Sequence, residues 1–239
     1  MALTMPELIY CANGNARYAE IAIKAGYTYG AQLPGTVYHD IEFADQNWKR
    51  PNLDSYVTAI KQYKPRIATV KDLECANWID ETLAWAESVA PYVDTIIIIP
   101  KAFGVIGKLP NRIGGRNIVM GYSVPTRHGA TSVPAWEFSG RDVHLLGGSP
   151  HKQIQLFRSL SAYCSIVSID GNMHNKLANS HCMFWVDGTA KYAKDRHWPT
   201  MREFNNGELW PHKGANYEAF AMSCQNIKDA WLQVAGGTS

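Results

Sequence analysis

The sequence of 239 residues lacks the marks of several protein classes. Its five cysteines form no CxxC pair, and His181 and Cys182 are the only adjacent histidine and cysteine. An odd number of cysteines without zinc spacing predicts reduced thiols and no metal site. The longest apolar run, residues 95–100, is far too short to span a bilayer, and the N-terminus has no signal-peptide pattern. We therefore expect a cytoplasmic protein without a membrane partner.

Nucleotide-binding fingerprints are missing as well. The chain contains neither a Walker A loop nor a G-x-G-x-x-G turn, and its serines do not stand in a nucleophile elbow. No cofactor is expected on these grounds. The composition, with 46% hydrophobic and 18% charged residues, is that of a folded globular protein. A net charge of +2 neither requires nor excludes nucleic acid as a partner.

What the chain does contain is a regular alternation of short apolar runs and amphipathic helical segments. Seven strands are predicted, near residues 8, 27, 67, 96, 118, 143 and 167. Ile96–Ile99 is typical of a strand that is buried on both faces of a parallel sheet. The pattern predicts one domain over residues 1–239, a TIM-type α/β barrel with a closing helix at about 216–233. An open doubly wound sheet is the alternative fold. Loops are predicted at residues 32–51 and 121–140, and an irregular tail at 188–212.

Three aspartates follow predicted strands or lie in the loops between them: Asp45, Asp72 and Asp170. Carboxylates at the carboxyl ends of barrel strands converge on one mouth, where barrel enzymes carry out their chemistry. An aspartate directly after a strand is equally often a helix cap or a turn residue. Both interpretations stay open for each of the three, although their number favours a site.

Gly147-Gly148-Ser149-Pro150 joins a predicted strand to a predicted helix. Its amides can bind an anion or lie against a planar ligand at the helix N-terminus. A tight turn that needs two small residues is the alternative, and the spacing slightly favours it. Ser149 is a good N-cap, and Pro150 suits the first helical position. Asn172 follows Asp170 at the end of the last predicted strand and is a further candidate for substrate binding.

Other polar and aromatic residues allow two interpretations each. The histidines can act as acids or bases, but a surface or capping role is more common: His128, His144, His151 and His174. Basic residues at 49–71 and 108–116 either contact phosphates or cover solvated faces. The tryptophans either stack on bases or fill the core: Trp48, Trp136, Trp185 and Trp198.

The order of these motifs resembles that of the tRNA-guanine transglycosylase superfamily. Residues 43–48 are similar to the family's early Ser/Thr-Asp-x-Gly-x-Phe loop, and residues 67–74 to the strand that ends in a base-reading aspartate. Residues 144–153 are similar to the late Leu-Met-Gly-x-Gly-x-Pro segment, after which Ile169-Asp170 falls at the place of the nucleophile. The resemblance covers roughly residues 40–180 and implies an α/β barrel.

The resemblance also implies roles for individual residues. Asp170 would be the nucleophile that forms a covalent bond to the sugar, and Asp45 the acid and base. Asp72 would read the guanine edge, with the Gly147 and Gly148 amides close to the base. Lys101 would replace a family glutamine, because residues 96–101 lack the usual Gln-Gly-Gly ending.

The departures from the family pattern bear on the substrate. The zinc site of the tRNA enzymes has no counterpart, and the chain is shorter, so the resemblance is greatest to the branch that modifies DNA. We expect DNA rather than tRNA, and a 7-deazaguanine such as preQ0 as the incoming base. An N-glycosidase or nucleoside hydrolase with the same aspartates, or a barrel that binds nucleic acid without catalysis, remains an alternative. The oligomeric state is left open.

Overall fold

The structure, a computed structural model, describes residues 4–126, 131–179, 183–184 and 214–236. Its strands are β1 (Glu7–Cys11), β2 (Thr28–Leu33), β3 (Phe43–Gln46), β4 (Ile67–Thr69), β5 (Thr95–Ile98), β6 (Arg112–Ile113), β7 (Arg116–Ser123), β8 (Asp142–Leu146) and β9 (Ser165–Gly171). Its α-helices are α1 (Ala16–Lys24), α2 (Leu53–Tyr63), α3 (Ile79–Val89), α4 (Pro150–Leu160), α5 (Met173–Ala178) and α6 (Ala215–Gly236).

Eight of these strands form a closed parallel barrel. The order around it is β1, β2, β3, β4, β5, β7, β8 and β9, and β9 pairs again with β1. Pairing of Ile97 in β5 with Val119 in β7 closes the ring, whereas β6 only adds a short antiparallel hairpin to β7. The barrel prediction is therefore confirmed, and the open-sheet alternative is wrong.

Side chains of successive strand residues point to opposite faces, so the barrel has an outer and an inner core. The outer core lies between strands and helices and includes Tyr10 of β1, Tyr56 of α2 and Trp231 of α6. The inner core is a separate cluster inside the barrel, and its members are Ile9, Cys11, Phe43, Ile67, Ile97, Ile99 and Val119. Burial on both faces explains the continuous apolar character of the strands.

The predicted helix boundaries hold where the capping signals are strong. The Asn15 and Asn52 side chains accept hydrogen bonds from the amides of Arg17 and Ser55 at the starts of α1 and α2. Ser149 caps α4, and Pro150 occupies its first turn, as predicted. In the described residues, an α-helix follows β1, β3, β4, β8 and β9 but none lies between β2 and β3 or between β5 and β7.

Two predicted loops were wrong in part. The segment 32–51 contains strand β3, which carries Asp45, and the segment 121–140 begins with the last residues of β7 and includes a 3₁₀ turn at Ala135–Phe138. Strand β3 has only four residues, too few to show alternation in the sequence. The predicted tail at 188–212 lies outside the described residues.

Candidate active site

A cavity of about 830 Å³ opens at the carboxyl ends of the barrel strands. Its lining includes the residues to which the sequence analysis gave catalytic or substrate-binding roles: Asp45, Asp72, Lys101, Gly147, Gly148, Ser149, Asp170 and Asn172. These residues come from β3, β9 and the segments after β4, β5, β8 and β9. Parallel strands in a closed barrel bring these ends together, although the residues are up to 127 positions apart in the chain.

Asp45 ends the inward face of β3, two residues after Phe43 of the inner core. The Thr69 hydroxyl donates to its Oδ1 at 3.0 Å, and Gln32 Nε2 lies 3.5 Å from its Oδ2. Thr69 Oγ1 in turn accepts the Gln46 amide at 2.8 Å, which leaves the hydroxyl proton for Asp45. Burial, followed by the nearby Asp170 charge, raises the pKa of Asp45 to about 7.

Asp170 is held by donors from β8 and the turn that follows it. The Gly147 amide donates to Oδ1 at 3.0 Å, and His144 Nε2 lies 3.1 Å from the same atom. The Gln153 amide group donates to the backbone oxygens of Gly147 and Asp170, at 2.8 Å and 2.7 Å, and so ties the turn to β9. Asp170 is consequently fixed in position at the wall of the cavity.

The turn after β8 depends on its two glycines. Gly147 and Gly148 have φ values of +62° and +81°, which side chains rarely tolerate. A Cβ at Gly148 would lie 2.3 Å from a methyl carbon of Val124, whereas a Cβ at Gly147 would meet nothing within 4 Å. The tight turn and the site are therefore the same feature: the turn aims the Gly147 amide at Asp170, and the open space beside Gly147 belongs to the cavity.

The cavity lining also contains an ion pair between Asp72 and Lys101. Lys101 Nζ is 3.2 Å from Asp72 Oδ2, and both side chains are largely buried, with 18% and 16% of their surface exposed. Burial raises the pKa of Asp72, and the Lys101 charge opposes that shift. The pair offers a ligand an anionic acceptor beside a cationic donor. Asn172, by contrast, donates to the Cys11 carbonyl at 3.0 Å and supports the end of β1.

Aromatic and basic side chains surround the mouth. Trp48 lines the cavity and is 49% exposed, and Trp136, beyond the cavity lining, is 55% exposed, so neither fills the core. Lys152 and Lys176 lie in the cavity lining, and Lys152 Nζ donates to the Pro125 carbonyl at 2.8 Å. Trp185, Trp198, His128, His181 and Cys182 lie outside the described residues.

Several predicted candidates lie away from the cavity. Arg66 precedes β4 and pairs with Glu7 and Glu42, near the amino ends of the strands. Arg116 starts β7 and contacts Asp94. His174 packs in the outer core against Phe220, and burial lowers its pKa to about 3. Within the described part of the chain, no group of three or more His, Cys, Asp or Glu side chains is placed to hold a metal ion.

Sequence reasoning missed two contributors to the site, Thr69 and Gln153, and gave His144 only as one of four possible acids or bases. The alternation of side chains along a strand could have indicated Thr69 and His144, because successive strand residues face opposite sides of the sheet. Val143 and Leu145 face the outer core, so His144 between them faces the barrel interior. Gln153 stands in the first turn of α4, which directly follows the glycine turn. The preference for a surface or capping role for His144 was wrong, because the side chain is fully buried.

Comparison with known proteins gives a family. Residues 22–232 match a family described as a family of unknown function, DUF6610. The chain belongs to the DUF6610 family. No curated protein matches this DUF6610 chain.

Similarity to solved structures is low. Two structures of a GDP-L-fucose synthetase from Naegleria fowleri, one of them bound to NADP, are 8% and 9% identical to the chain. They cover 100% of this chain and 96% of their own, with TM-scores of 0.24 and 0.22. Such scores carry no argument about fold or function. Among the described residues, no helix is both long and apolar enough to cross a membrane.

Proposed function

We propose that this protein is a transglycosylase that exchanges guanine for a 7-deazaguanine base in DNA through a covalent aspartyl-sugar intermediate. One observation carries the proposal: three carboxylates converge on one cavity in three different environments. Asp170 accepts two N–H contacts, Asp45 has a pKa raised to about 7, and Asp72 pairs with Lys101. Carboxyl groups whose environments set them apart are suited to different steps of one reaction. The motif order that resembles guanine transglycosylases supports the same assignment.

In the first step, a carboxylate oxygen of Asp170 attacks C1′ of the sugar and forms an ester bond. The C1′–N9 bond breaks, and its electron pair leaves with the guanine. Asp45 gives its proton to the departing base, a role for which a pKa near 7 is well matched. Splitting one difficult displacement into two lowers the barrier of each.

In the second step, the ionised Asp45 takes the N9 proton of the incoming base. N9 then attacks C1′, and the Asp170 carboxylate leaves, so atoms and charges balance over the cycle. Asp72 accepts from the N–H groups on the base edge, and Lys101 donates to its carbonyl oxygen. Two displacements at C1′ retain the configuration of the sugar.

The surroundings of the cavity support a polymer as the substrate. A base inside a duplex cannot reach a buried aspartate, so the target nucleotide has to be flipped out, which costs a few kcal/mol. Exposed Trp48 and Trp136 offer stacking surfaces, and Lys152 and Lys176 offer positive charge near phosphates. We propose that DNA is favoured over tRNA, that the protein is cytoplasmic, and that the barrel is a divergent TIM type without some of the usual helices.

A base-exchange assay tests the proposal. Protein is incubated with guanine-labelled DNA, and separately with labelled tRNA, with and without preQ0. Release of guanine that requires both Asp170 and the added base supports a transglycosylase, and the polymer that responds identifies the substrate. Release without an added base indicates the glycosidase alternative. Binding without release, and without an adduct on Asp170, indicates a barrel that binds nucleic acid but does not catalyse.

A further inference from the structure

His144 is a fully buried histidine with a polar partner at each ring nitrogen. Its Nδ1 is 2.8 Å from the Ser168 Oγ, and its Nε2 is 3.1 Å from the Asp170 Oδ1. The ring also stacks on Phe43, with the centroids 5.3 Å apart and the planes inclined by 21°. These three contacts fix the position of the imidazole and its rotation. The histidine side chain lies inside the barrel beside Phe43 of the inner core, and it is not part of the outer core between strands and helices.

The contacts fit one tautomer of a neutral imidazole beside an ionised Asp170. A carboxylate oxygen only accepts, so Nε2 donates its hydrogen to Asp170. In a neutral ring the other nitrogen is then an acceptor, so the Ser168 hydroxyl donates to Nδ1. Together with the Gly147 amide, His144 places two donors on the Oδ1 atom. The Oδ2 atom of Asp170 has no hydrogen-bond partner in the described part of the chain.

We propose that His144 is a positioning residue that holds Oδ1 of Asp170, so that Oδ2 is the atom that forms the bond to C1′. This inference rests on the proposed function. A lone pair of Oδ2 forms the C1′–O bond while the electron pair of the C1′–N9 bond leaves with the base, which is protonated by Asp45. His144 keeps its proton throughout and acts only through the orientation of the carboxylate.

Variants of His144 test the proposal through the rate of adduct formation. His144→Phe keeps the ring that stacks on Phe43 but removes the donor, and we expect the single-turnover rate to fall about 100-fold with little change in KM. His144→Gln restores an N–H donor and should recover most of that loss. His174→Phe removes another buried histidine, away from the cavity, and serves as the matched control. Adduct formation by folded His144→Phe at the wild-type rate overturns the proposal.

A second measurement does not depend on turnover. Nitrogen-15 NMR of the His144 ring should show the proton on Nε2 in the wild type, and Ser168→Ala should shift the tautomer equilibrium towards Nδ1. A wild-type ring protonated on Nδ1 alone contradicts the proposed hydrogen bond. If wild-type protein forms no adduct with any polymer, the proposed function fails, and the tautomer then decides separately whether His144 orients Asp170.

Discussion

The inside of the barrel has two regions of opposite character on the same strands. On β3 the inward residue Phe43 is followed two positions later by Asp45, and on β4 Ile67 is followed by Thr69. The earlier positions belong to the apolar inner core, and the later ones belong to the polar layer at the cavity. Two residues along a strand, which is one repeat of the side-chain alternation, therefore separate the residues that stabilise the barrel from those suited to chemistry.

The difference teaches that the apolar region affects the polar region through burial. The apolar inner core lies next to the polar layer along the same strands, and burial is the largest cause of the raised pKa of Asp45. Cys11 lies in the inner core near Asp45 and Asp170, and burial raises its thiol pKa strongly, so it remains a neutral neighbour. The apolar region thus raises the pKa of Asp45 through burial, and its residue Ile99 also lines the cavity.

The largest expected effect comes from breaking the polar region alone. Asp170→Asn should reduce base exchange by at least about 10⁴-fold, because the amide is a poor nucleophile and no adduct can form. Thermal unfolding should change little, since Gly147 and His144 can still donate to the amide oxygen. Asp142→Asn, an exposed aspartate at the other end of β8, is the control and should keep wild-type exchange. Full activity of Asp170→Asn would contradict the assigned role.

The opposite experiment breaks the apolar region. Ile67→Ala should lower the free energy of unfolding by about 2–5 kcal/mol, because the lost side chain leaves a cavity inside the barrel. Below its unfolding temperature, the variant should still form the covalent adduct at a rate close to that of the wild type. Urea unfolding and single-turnover assays measure the two effects separately. A large loss of chemistry with unchanged stability would mean that the two regions are not separable in this way.

The sequence predicted much of the fold because the strands are buried on both faces and the caps are strong. The four isoleucines at residues 96–99 and the Asn52 and Ser149 caps each gave a boundary close to the observed one. Strand β3 was missed because its four residues include an aspartate and a glutamine. Those polar residues are there because the strand ends in the site, so a local pattern could not show that β3 is a strand.

The candidate site was less predictable than the fold. Strand ends in parallel sheets converge, so Asp45, Asp72 and Asp170 could be grouped before their positions were known. Their different environments could not be predicted, because Thr69, His144 and Lys101 come from other strands and loops. The contact between Lys101 and Asp72 requires the relative heights of β4 and β5, which a sequence without register does not contain.

A pH series sharpens the link between the two regions. In the unfolded chain Asp45 would titrate near its usual value of about 4, whereas in the fold its pKa is about 7. The folded state binds the proton more tightly, so Asp45 favours the fold at low pH and this contribution is lost as pH rises from about 4 to 7. The stability of Asp45→Asn relative to the wild type should therefore rise by about 1–2 kcal/mol between pH 4 and pH 8. The expected rise is smaller than the full shift in pKa would give, because the Asp45 side chain is partly exposed.

Chemical unfolding at several pH values measures that difference, and Asp142→Asn should show no comparable trend. The same proton bears on activity. Exchange should decline above about pH 7 in the wild type, because Asp45 then lacks the proton that the leaving base requires. A stability difference that stays constant between pH 4 and pH 8 would argue against a raised pKa.

The smallest expected effect concerns a third region, the exposed aromatic pair Phe103 and Trp136. Their rings lie edge to face, with the centroids 5.8 Å apart. The amide of Gly104, which follows Phe103, donates a hydrogen bond to the carboxylate of Glu137, which follows Trp136, and this bond holds the pair in place. Trp136→Ala should weaken binding of single-stranded DNA about fivefold to tenfold, equivalent to about 1 kcal/mol for one lost stack. Tyr163→Ala, an exposed aromatic just before β9 at the opposite end of the barrel, is the control. Equal losses in both variants would show a nonspecific effect, whereas a loss confined to Trp136 would separate the contact with the polymer from the chemistry of the aspartates.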